Sequence, residues 1–285
     1  MKGKTLGAII VIIALVAAVL ILWYVVPGIG DGDTEREPAD TAAVPSPDNT
    51  VVHGIYDTAA GDLWYFDEGR VERYEAFAAL RPELDFSDIV WMVNVNLDKT
   101  PYEYINEAAD PTSITLLVNK YFYLAPDFTP GDLVNIGSTM LREEAAMAMN
   151  VMIDAAAQEG HRLWVQSGYR SFNVQAGLFE QYSAYDGVEK AETYSARPGH
   201  SEHQTGLAAD LNTITDAFGD TSEGKWAAEN CWKYGFIVRY TEDNTDITLY
   251  KPEPWHMRYI GMEAAAGMRD LGIKSFEEYW AKYID

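Results

Sequence analysis

The sequence predicts an α+β fold in which a small antiparallel sheet is flanked by helices. Apolar residues at helical spacing come early in the folded region, whereas short apolar runs that suit strands cluster late. Segregated helices and strands of this kind are typical of the α+β class. Hydrophobic residues make up 48% of the 285-residue chain and aromatic residues 13%, which is enough for one mid-sized core.

The first 27 residues predict a membrane anchor. Lys2 and Lys4 precede residues 6–26, an uncharged and mostly apolar run. About 20 apolar residues span a bilayer as a helix, and the positive-inside rule keeps the lysine end in the cytoplasm. We therefore expect a single transmembrane helix, with everything after Pro27 outside the cell. A cleaved signal peptide is the alternative, although its apolar core is normally only about 7–15 residues long.

Two segments connect this anchor to the main domain. Residues 28–50 are rich in Gly, Pro, Asp and Thr and nearly lack large apolar side chains, so they predict a flexible tether. Residues 51–115 predict an N-terminal extension, with a helix at residues 71–79 and an apolar run at residues 89–93. The main domain is predicted at residues 116–285.

Periodicity and stop signals give the elements of the main domain in order. Thr139 is expected to cap a long helix that Gly160 ends, and Ser222 is expected to cap a later helix that Gly235 ends. Helices are predicted at residues 139–158, 171–182, 224–234, 262–271 and 276–283. Strands or extended segments are predicted at residues 116–119, 163–165, 207–211, 236–240, 247–250 and 255–259.

Charge and cysteine content exclude some classes of function. The formal net charge is −23, and an acidic surface repels nucleic-acid phosphates, so we expect no nucleic-acid partner. The single cysteine, Cys231, cannot form an intrachain disulfide. Its apolar surroundings predict a buried packing thiol rather than a nucleophile.

Histidine and carboxylate residues in two short stretches predict a catalytic metal site. A catalytic zinc ion takes three protein ligands from His, Asp or Glu and leaves one position for water. His203 and Asp210 in the first stretch and His256 in the second supply such a set. Glu253 lies near His256 in sequence and is a candidate general base toward the water. His200 is expected to be only a neighbour of the site.

The same stretches resemble the zinc D-Ala-D-Ala carboxypeptidases of the VanY type, a family that includes LdcB-like peptidases. The pattern S-x-H-x-x-G-x-A-x-D begins at Ser201 and ends at Asp210, and E-x-W-H begins at Glu253 and ends at His256. Two upstream elements, S-G-Y-R-S at residues 167–171 and L-V-N-K at residues 117–120, also look like this family. The resemblance covers about residues 115–270, with the motifs in the family's order.

This resemblance implies a hedgehog/D-Ala-D-Ala peptidase-like fold with a zinc site. His203, Asp210 and His256 would bind Zn²⁺, and Glu253 would activate the attacking water. Arg170 would orient the substrate or stabilise the oxyanion, because guanidinium stays charged and offers a planar fork of donors. The other candidates for substrate contact are Tyr169, Gln175, Ser201 and Trp255.

The activity implied is that of a D,D-carboxypeptidase acting on the D-Ala-terminated stem peptide of peptidoglycan or its precursor. We expect a monomeric ectodomain attached to the cell membrane. Three alternatives stay open: an L,D-carboxypeptidase that trims tetrapeptide stems, a D,D-dipeptidase, and a non-catalytic wall-binding module that kept the fold. The motif S-x-x-K at residues 222–225 also occurs in serine enzymes with this activity, but their S-D-N and K-T-G elements are absent here.

Overall fold

The computed structural model describes residues 63–284, which all lie in one compact unit. The predicted anchor at residues 1–27 and the tether at residues 28–50 fall outside the described residues, as do residues 51–62 of the extension. Within residues 63–284, no helix has the length and apolar character needed to cross a membrane. The predicted domain boundaries therefore stay predictions.

Two helices form the N-terminal part of the described chain. After a 3₁₀ turn at Glu68–Arg70 come α1, Val71–Leu80, and α2, Phe86–Asn94. Helix α1 confirms the helix predicted at residues 71–79, and the apolar run at residues 89–93 lies inside α2. The two helices share a small core formed by Tyr74, Phe77, Ile89, Val90 and Val93.

Four short strands and one long helix follow. Strand β1, Asn106–Glu107, pairs in parallel with β2, Phe122–Tyr123. Strand β3, Leu133–Ile136, forms an antiparallel hairpin with β4, Thr139–Arg142. Helix α3, Glu143–Gln158, comes directly after β4 and buries an apolar face made of Ala145, Ala146, Met149, Met152 and Ala156.

The predicted start of this helix at Thr139 is wrong. Thr139 pairs with Ile136 across a tight hairpin loop, in which Gly137 has φ +59°. Glycine adopts this conformation without strain, and such loops favour hairpins. Leu141 misled the prediction because it lies four residues before Ala145 and belongs to the same core, as a helical residue at that spacing would.

Residues 116–119 are not a strand either. The backbone carbonyl of Leu116 accepts a hydrogen bond from Arg258 Nη2 (2.8 Å), and the side chain of Asn119 accepts from the N–H groups of the second and third residues after it. The carbonyl of Leu116 therefore has a side-chain partner in place of a strand partner, and Asn119 holds a turn into the residues that follow. The segment is buried, which explains its apolar sequence.

The main sheet has four antiparallel strands in the order β5-β6-β8-β7. Its strands and the helices between and after them are, in chain order, β5 Val165–Ser167, α4 Phe172–Asp186, α5 Val188–Ala191, β6 Ala208–Leu211, α6 Ser222–Asn230, β7 Phe236–Tyr240, α7 Thr245–Thr248, β8 Glu253–Tyr259, α8 Met262–Leu271 and α9 Phe276–Tyr283. The chain also has 3₁₀ turns at Glu202–Thr205, Asp216–Asp220, Cys231–Tyr234 and Glu242–Asn244. The sheet shares its main core with α3 and α6.

The extended segment predicted at residues 247–250 is wrong. The chain forms the short helix α7 there, and Leu249 after it has φ +59°. The β-branched residues suggested a strand, but Thr248 Oγ1 donates to the carbonyl of Asn244 (3.0 Å) and holds the turn. Lys120 Nζ also donates to the carbonyl of Leu249 (3.0 Å).

Smaller differences concern the ends of elements. Strand β5 begins at Val165, two residues later than predicted, and α4 continues to Asp186. Thr221 rather than Ser222 caps α6, since its hydroxyl accepts a hydrogen bond from the N–H of Gly224 (3.0 Å). Helix α6 ends at Asn230 and a 3₁₀ turn continues to Tyr234, whereas β8 begins at Glu253, two residues earlier than predicted. The other late elements lie within about one residue of their predicted bounds.

The predicted α+β class is confirmed as a mixed fold of helices and small sheets. Cys231 belongs to the main core, and burial raises the pKa of its thiol to about 12. A thiol with that pKa stays protonated near neutral pH, which agrees with the predicted packing role.

Candidate active site

The three predicted metal ligands are brought together by neighbouring strands. Asp210 on β6 lies opposite His256 on β8 in the antiparallel ladder, and directly opposed residues present their side chains on one face. His203 comes from the 3₁₀ turn just before β6. Gly206 ends this turn with φ +69°, which favours glycine, and the chain then enters β6.

The distances between these side chains suit a shared metal ion. His203 Nε2 lies 3.3 Å from Asp210 Oδ2, and His256 Nδ1 lies 3.3 Å from Asp210 Oδ1. One nitrogen or oxygen atom from each residue lies within 4.8 Å of the other two, and all three residues are buried. No other group of this kind is found within residues 63–284.

Two details of these residues test whether a metal ion fits. Asp210 Oδ1 is buried and has no hydrogen-bond partner among the described residues, which is costly unless another group satisfies the oxygen. His203 Nδ1 lies 2.7 Å from the carbonyl oxygen of Gly168. A carbonyl only accepts, so Nδ1 carries the hydrogen and Nε2 presents its lone pair toward Asp210. A set of two imidazoles and one carboxylate fits a zinc ion.

The electrostatics of the three residues follow from burial and mutual contact. Burial alone would raise the pKa of Asp210, but His203 and His256 hold it well below its usual range. Burial lowers the pKa of His203 and favours its neutral, metal-binding form. Burial also opposes the charged form of His256, but contacts with Asp210 and Glu202 outweigh it and raise the pKa to about 9. Metal binding at His256 would thus release a proton.

The predicted base, Glu253, lies beside the metal ligands at the start of β8. Its Oε2 lies 3.6 Å from His256 Nδ1. Burial raises the pKa of this carboxyl to about 7, with a smaller opposing effect from His256. A carboxyl with that pKa exchanges protons readily near neutral pH, as a general base must.

The predicted substrate-orienting residue, Arg170, lines the same cavity. Its guanidinium donates to Gln175 Oε1 (2.8 Å) and Ser167 Oγ (3.2 Å), and Nη2 lies 3.9 Å from Asp210 Oδ2. Gln175 is itself fixed, since its Nε2 donates to the carbonyl of Ala196 (2.7 Å). Within the described residues, Arg170 is the only Arg or Lys that lines the cavity.

Three of the four predicted substrate-contact residues line the cavity, and the fourth does not. Ser201, Gln175 and Trp255 line the cavity with the metal ligands. Tyr169 does not line it, and its hydroxyl lies 3.2 Å from Thr129 Oγ1. His200 is outside the ligand group, with Nδ1 2.7 Å from the carbonyl oxygen of Asn119.

Sequence reasoning missed several residues at this site, among them Tyr240, Tyr250 and Glu202. Tyr240 and Tyr250 line the cavity from β7 and from the turn after α7. Glu202 contacts His256 Nε2 (3.2 Å) and is buried beside Arg239 and Arg258. These two guanidiniums outweigh the effect of burial and hold the pKa of Glu202 well below its usual range. A charged residue directly before His203 was the one signal available for Glu202.

A buried His-Asp-His group with an adjacent carboxylate and guanidinium in one cavity defines the class of metal-dependent hydrolases. Comparison with known proteins narrows this class. The model of the VanY family, described as D-alanyl-D-alanine carboxypeptidase, matches residues 138–262. The Bacillus subtilis (strain 168) protein YodJ is 42% identical over 189 residues, which cover 61% of this chain and 69% of that protein.

Two solved structures are similar in fold as well as in sequence. The LD-carboxypeptidase LdcB is 40% identical with a TM-score of 0.59, and the match covers 62% of this chain and 90% of that one. The D,D-pentapeptidase VanY from the VanB-type resistance cassette, solved in complex with Zn(II), is 33% identical with a TM-score of 0.52. That match covers 58% of this chain and 97% of that one.

The chain belongs to the VanY family. Its predicted cofactor, zinc, is confirmed by membership of this zinc-peptidase family together with the His-Asp-His group that the fold assembles.

Proposed function

We propose that the chain is a zinc-dependent carboxypeptidase that removes the C-terminal D-Ala from peptidoglycan stem peptides. One observation carries this proposal: the group formed by His203, Asp210 and His256 shares a cavity with Glu253 and Arg170. The same residues would have little reason to converge in a non-catalytic wall-binding module, because such a module needs no base.

The chemistry divides between the metal and the side chains. His203, Asp210 and His256 would hold a zinc ion, which would supply Lewis-acid activation of the scissile carbonyl and of the attacking water. Glu253 accepts a proton from the attacking water and delivers it to the leaving amine. Its pKa of about 7 supports both steps, since the same carboxyl must gain and then lose the proton.

Arg170 supplies the positive charge that a carboxypeptidase needs. Its guanidinium is held by Gln175 and Ser167, so little side-chain freedom is lost on binding. A planar fork of donors suits either the terminal carboxylate of the substrate or the oxyanion that develops at the scissile carbonyl. Ser201 and Trp255 complete the cavity wall as candidate substrate contacts.

The likeness to the LD-carboxypeptidase LdcB supports the tetrapeptide stem, and therefore L,D activity, as the preferred substrate. Identity is 40% with the LD-carboxypeptidase LdcB but 33% with the D,D-pentapeptidase VanY, and the TM-scores follow the same order. The D,D activity expected from the sequence is the second candidate, supported by the description of the family model.

A competition between stem peptides tests this proposal. The purified zinc-loaded protein is incubated with tetrapeptide and pentapeptide stems, and D-Ala loss is followed by mass spectrometry. We expect kcat/KM to be at least about tenfold higher for the tetrapeptide, the smallest discrimination that one pocket difference usually gives. A preference for the pentapeptide would instead support D,D activity. Loss of D-Ala from neither stem would refute the proposed function.

We also propose that the peptidase is attached to the cell membrane by residues 6–26, with residues 28–50 as its tether and the catalytic domain outside. The support is the length and flanking charge of the apolar run. Protease added to intact cells should then release an active fragment, while the N-terminus stays with the membrane. Mature protein that begins after residue 26 would show a cleaved signal peptide instead.

A further inference from the structure

Four buried charged side chains connect the C-terminal helix with the metal site. Glu277 on α9 accepts two hydrogen bonds from the guanidinium of Arg239 on β7, at 2.6 and 3.0 Å. Arg239 Nε donates to Glu202 Oε1 (2.8 Å), which also accepts from Arg258 Nη1 (3.0 Å). None of the four residues is more than 2% exposed.

The charges in this group fix the hydrogen-bonding character of Glu202. Arg239 and Arg258 both form ion pairs with Glu202 and donate hydrogen bonds to it. In these pairs Glu202 is a carboxylate, which can only accept hydrogen bonds. Both arginines use Oε1, whereas Oε2 lies 3.2 Å from His256 Nε2. His256 Nε2 must therefore carry a hydrogen and donate it to Glu202.

This contact leaves the other ring nitrogen of His256 for the metal. A neutral imidazole has one hydrogen, so with Nε2 protonated the lone pair is on Nδ1, which lies 3.3 Å from Asp210 Oδ1. His203 is arranged in the same way by the carbonyl of Gly168. The two histidines differ in the group that accepts this hydrogen bond. For His203 it is a neutral backbone carbonyl, whereas for His256 it is the carboxylate of Glu202.

Stability alone is a weak reason for this group of charges. Burying ion pairs costs several kcal/mol per ion, and well-packed apolar residues are often at least as stabilising. The arginines already satisfy Oε1 of Glu202. The contact between Oε2 and His256 is better explained by a role at the metal site. Groups that hydrogen-bond to a metal-binding histidine fix the orientation of its ring.

We propose that Glu202 is a positioning residue that holds His256 in the tautomer and orientation that bind zinc through Nδ1. Arg239 and Arg258 hold the carboxylate of Glu202 in place beside His256. This role rests on the ligand set in the proposed function and adds to it the residue that prepares one of the ligands.

The substitution Glu202→Gln tests this role through zinc affinity. Glutamine keeps the size of the side chain, and its one carbonyl oxygen would face the two arginines. Its amide N–H₂ would then face His256 Nε2 and favour the tautomer with hydrogen on Nδ1, which cannot bind zinc through Nδ1. We expect zinc affinity of the full chain, measured by competition with a chelator, to fall about 10–100-fold.

The substitution Glu277→Gln is the matched control. It removes one charge from the same buried group, but Arg239 and Arg258 still pair with Glu202, so the contact with His256 stays. We expect zinc affinity within about threefold of the original chain, even if the melting temperature falls as far as in the Glu202 variant. Unchanged zinc affinity in Glu202→Gln, or equal losses in both variants, would overturn the role.

A measurement on the unsubstituted chain covers the case in which Glu202→Gln does not fold. In the zinc-loaded protein with ¹⁵N-labelled histidine, nuclear magnetic resonance should show His256 with a hydrogen on Nε2 and none on Nδ1. A hydrogen on Nδ1 would overturn the role. Both readouts concern zinc binding, so a protein that binds zinc in this way but releases no D-Ala would refute only the proposed function.

Discussion

Glu253→Gln should reduce turnover by about 10²–10⁴-fold or more while zinc content stays near one ion per chain. Glutamine keeps the size of the side chain and most of its hydrogen bonding, but it cannot accept a proton. Glu253 Oε2 lies 3.6 Å from His256 Nδ1 in the cavity, so the carboxyl lies beside a residue that would hold the metal ion. The loss should appear in kcat and kcat/KM alike, because it affects a transition-state interaction.

The control and the rival explanation use the same preparations. Glu229→Gln, an exposed change on α6, removes the same charge and should leave turnover unchanged. If Glu253 only orients a metal ligand, its substitution should weaken zinc affinity by about 10–100-fold and turnover should recover in excess zinc. A Glu253→Gln enzyme with near-normal turnover at its original zinc content would contradict the base assignment.

The sequence between His203 and Asp210 predicts part of the local geometry of the ligand set. Asp210 lies seven residues after His203, and Gly206 between them allows the turn with positive φ that leads into β6. The apolar residues around Asp210 predict a buried strand, where a lone carboxylate would be costly. What spacing could not predict is the ladder that places His256 opposite Asp210, because strand pairing joins residues far apart in sequence.

At two places where prediction failed, side chains distant in sequence bind the backbone. Residues 116–119 have the composition of a strand, but Arg258 on β8 binds the carbonyl of Leu116. Residues 247–250 include two β-branched side chains, but they form a helical turn, and Lys120 binds the carbonyl of Leu249. The group formed by Glu202, Arg239, Arg258 and Glu277 was invisible for the same reason, since its members come from a turn, two strands and the last helix.

His256→Ala should remove both bound zinc and activity. One of three protein ligands is lost, and Asp210 and His203 alone leave a two-ligand site that is poor for a hydrolytic zinc ion. Loss of a residue that only hydrogen-bonds to a metal ligand lowers metal affinity by about 10–100-fold. We expect His256→Ala to lower zinc affinity by more than this and to show no measurable D-Ala release. His200→Ala is the matched control, because His200 is also buried but lies outside the ligand group. It should keep its zinc and its turnover.

Zinc content and D-Ala release, measured together on the original chain, Glu253→Gln and His256→Ala, test the central claim most directly. The expected pattern is zinc with release in the first, zinc without release in the second, and neither in the third. Chelation of the original chain should abolish release, and added zinc should restore it. Full zinc occupancy in His256→Ala, or D-Ala release by the original chain after its zinc has been removed, would contradict the assignment of this site as a zinc carboxypeptidase centre.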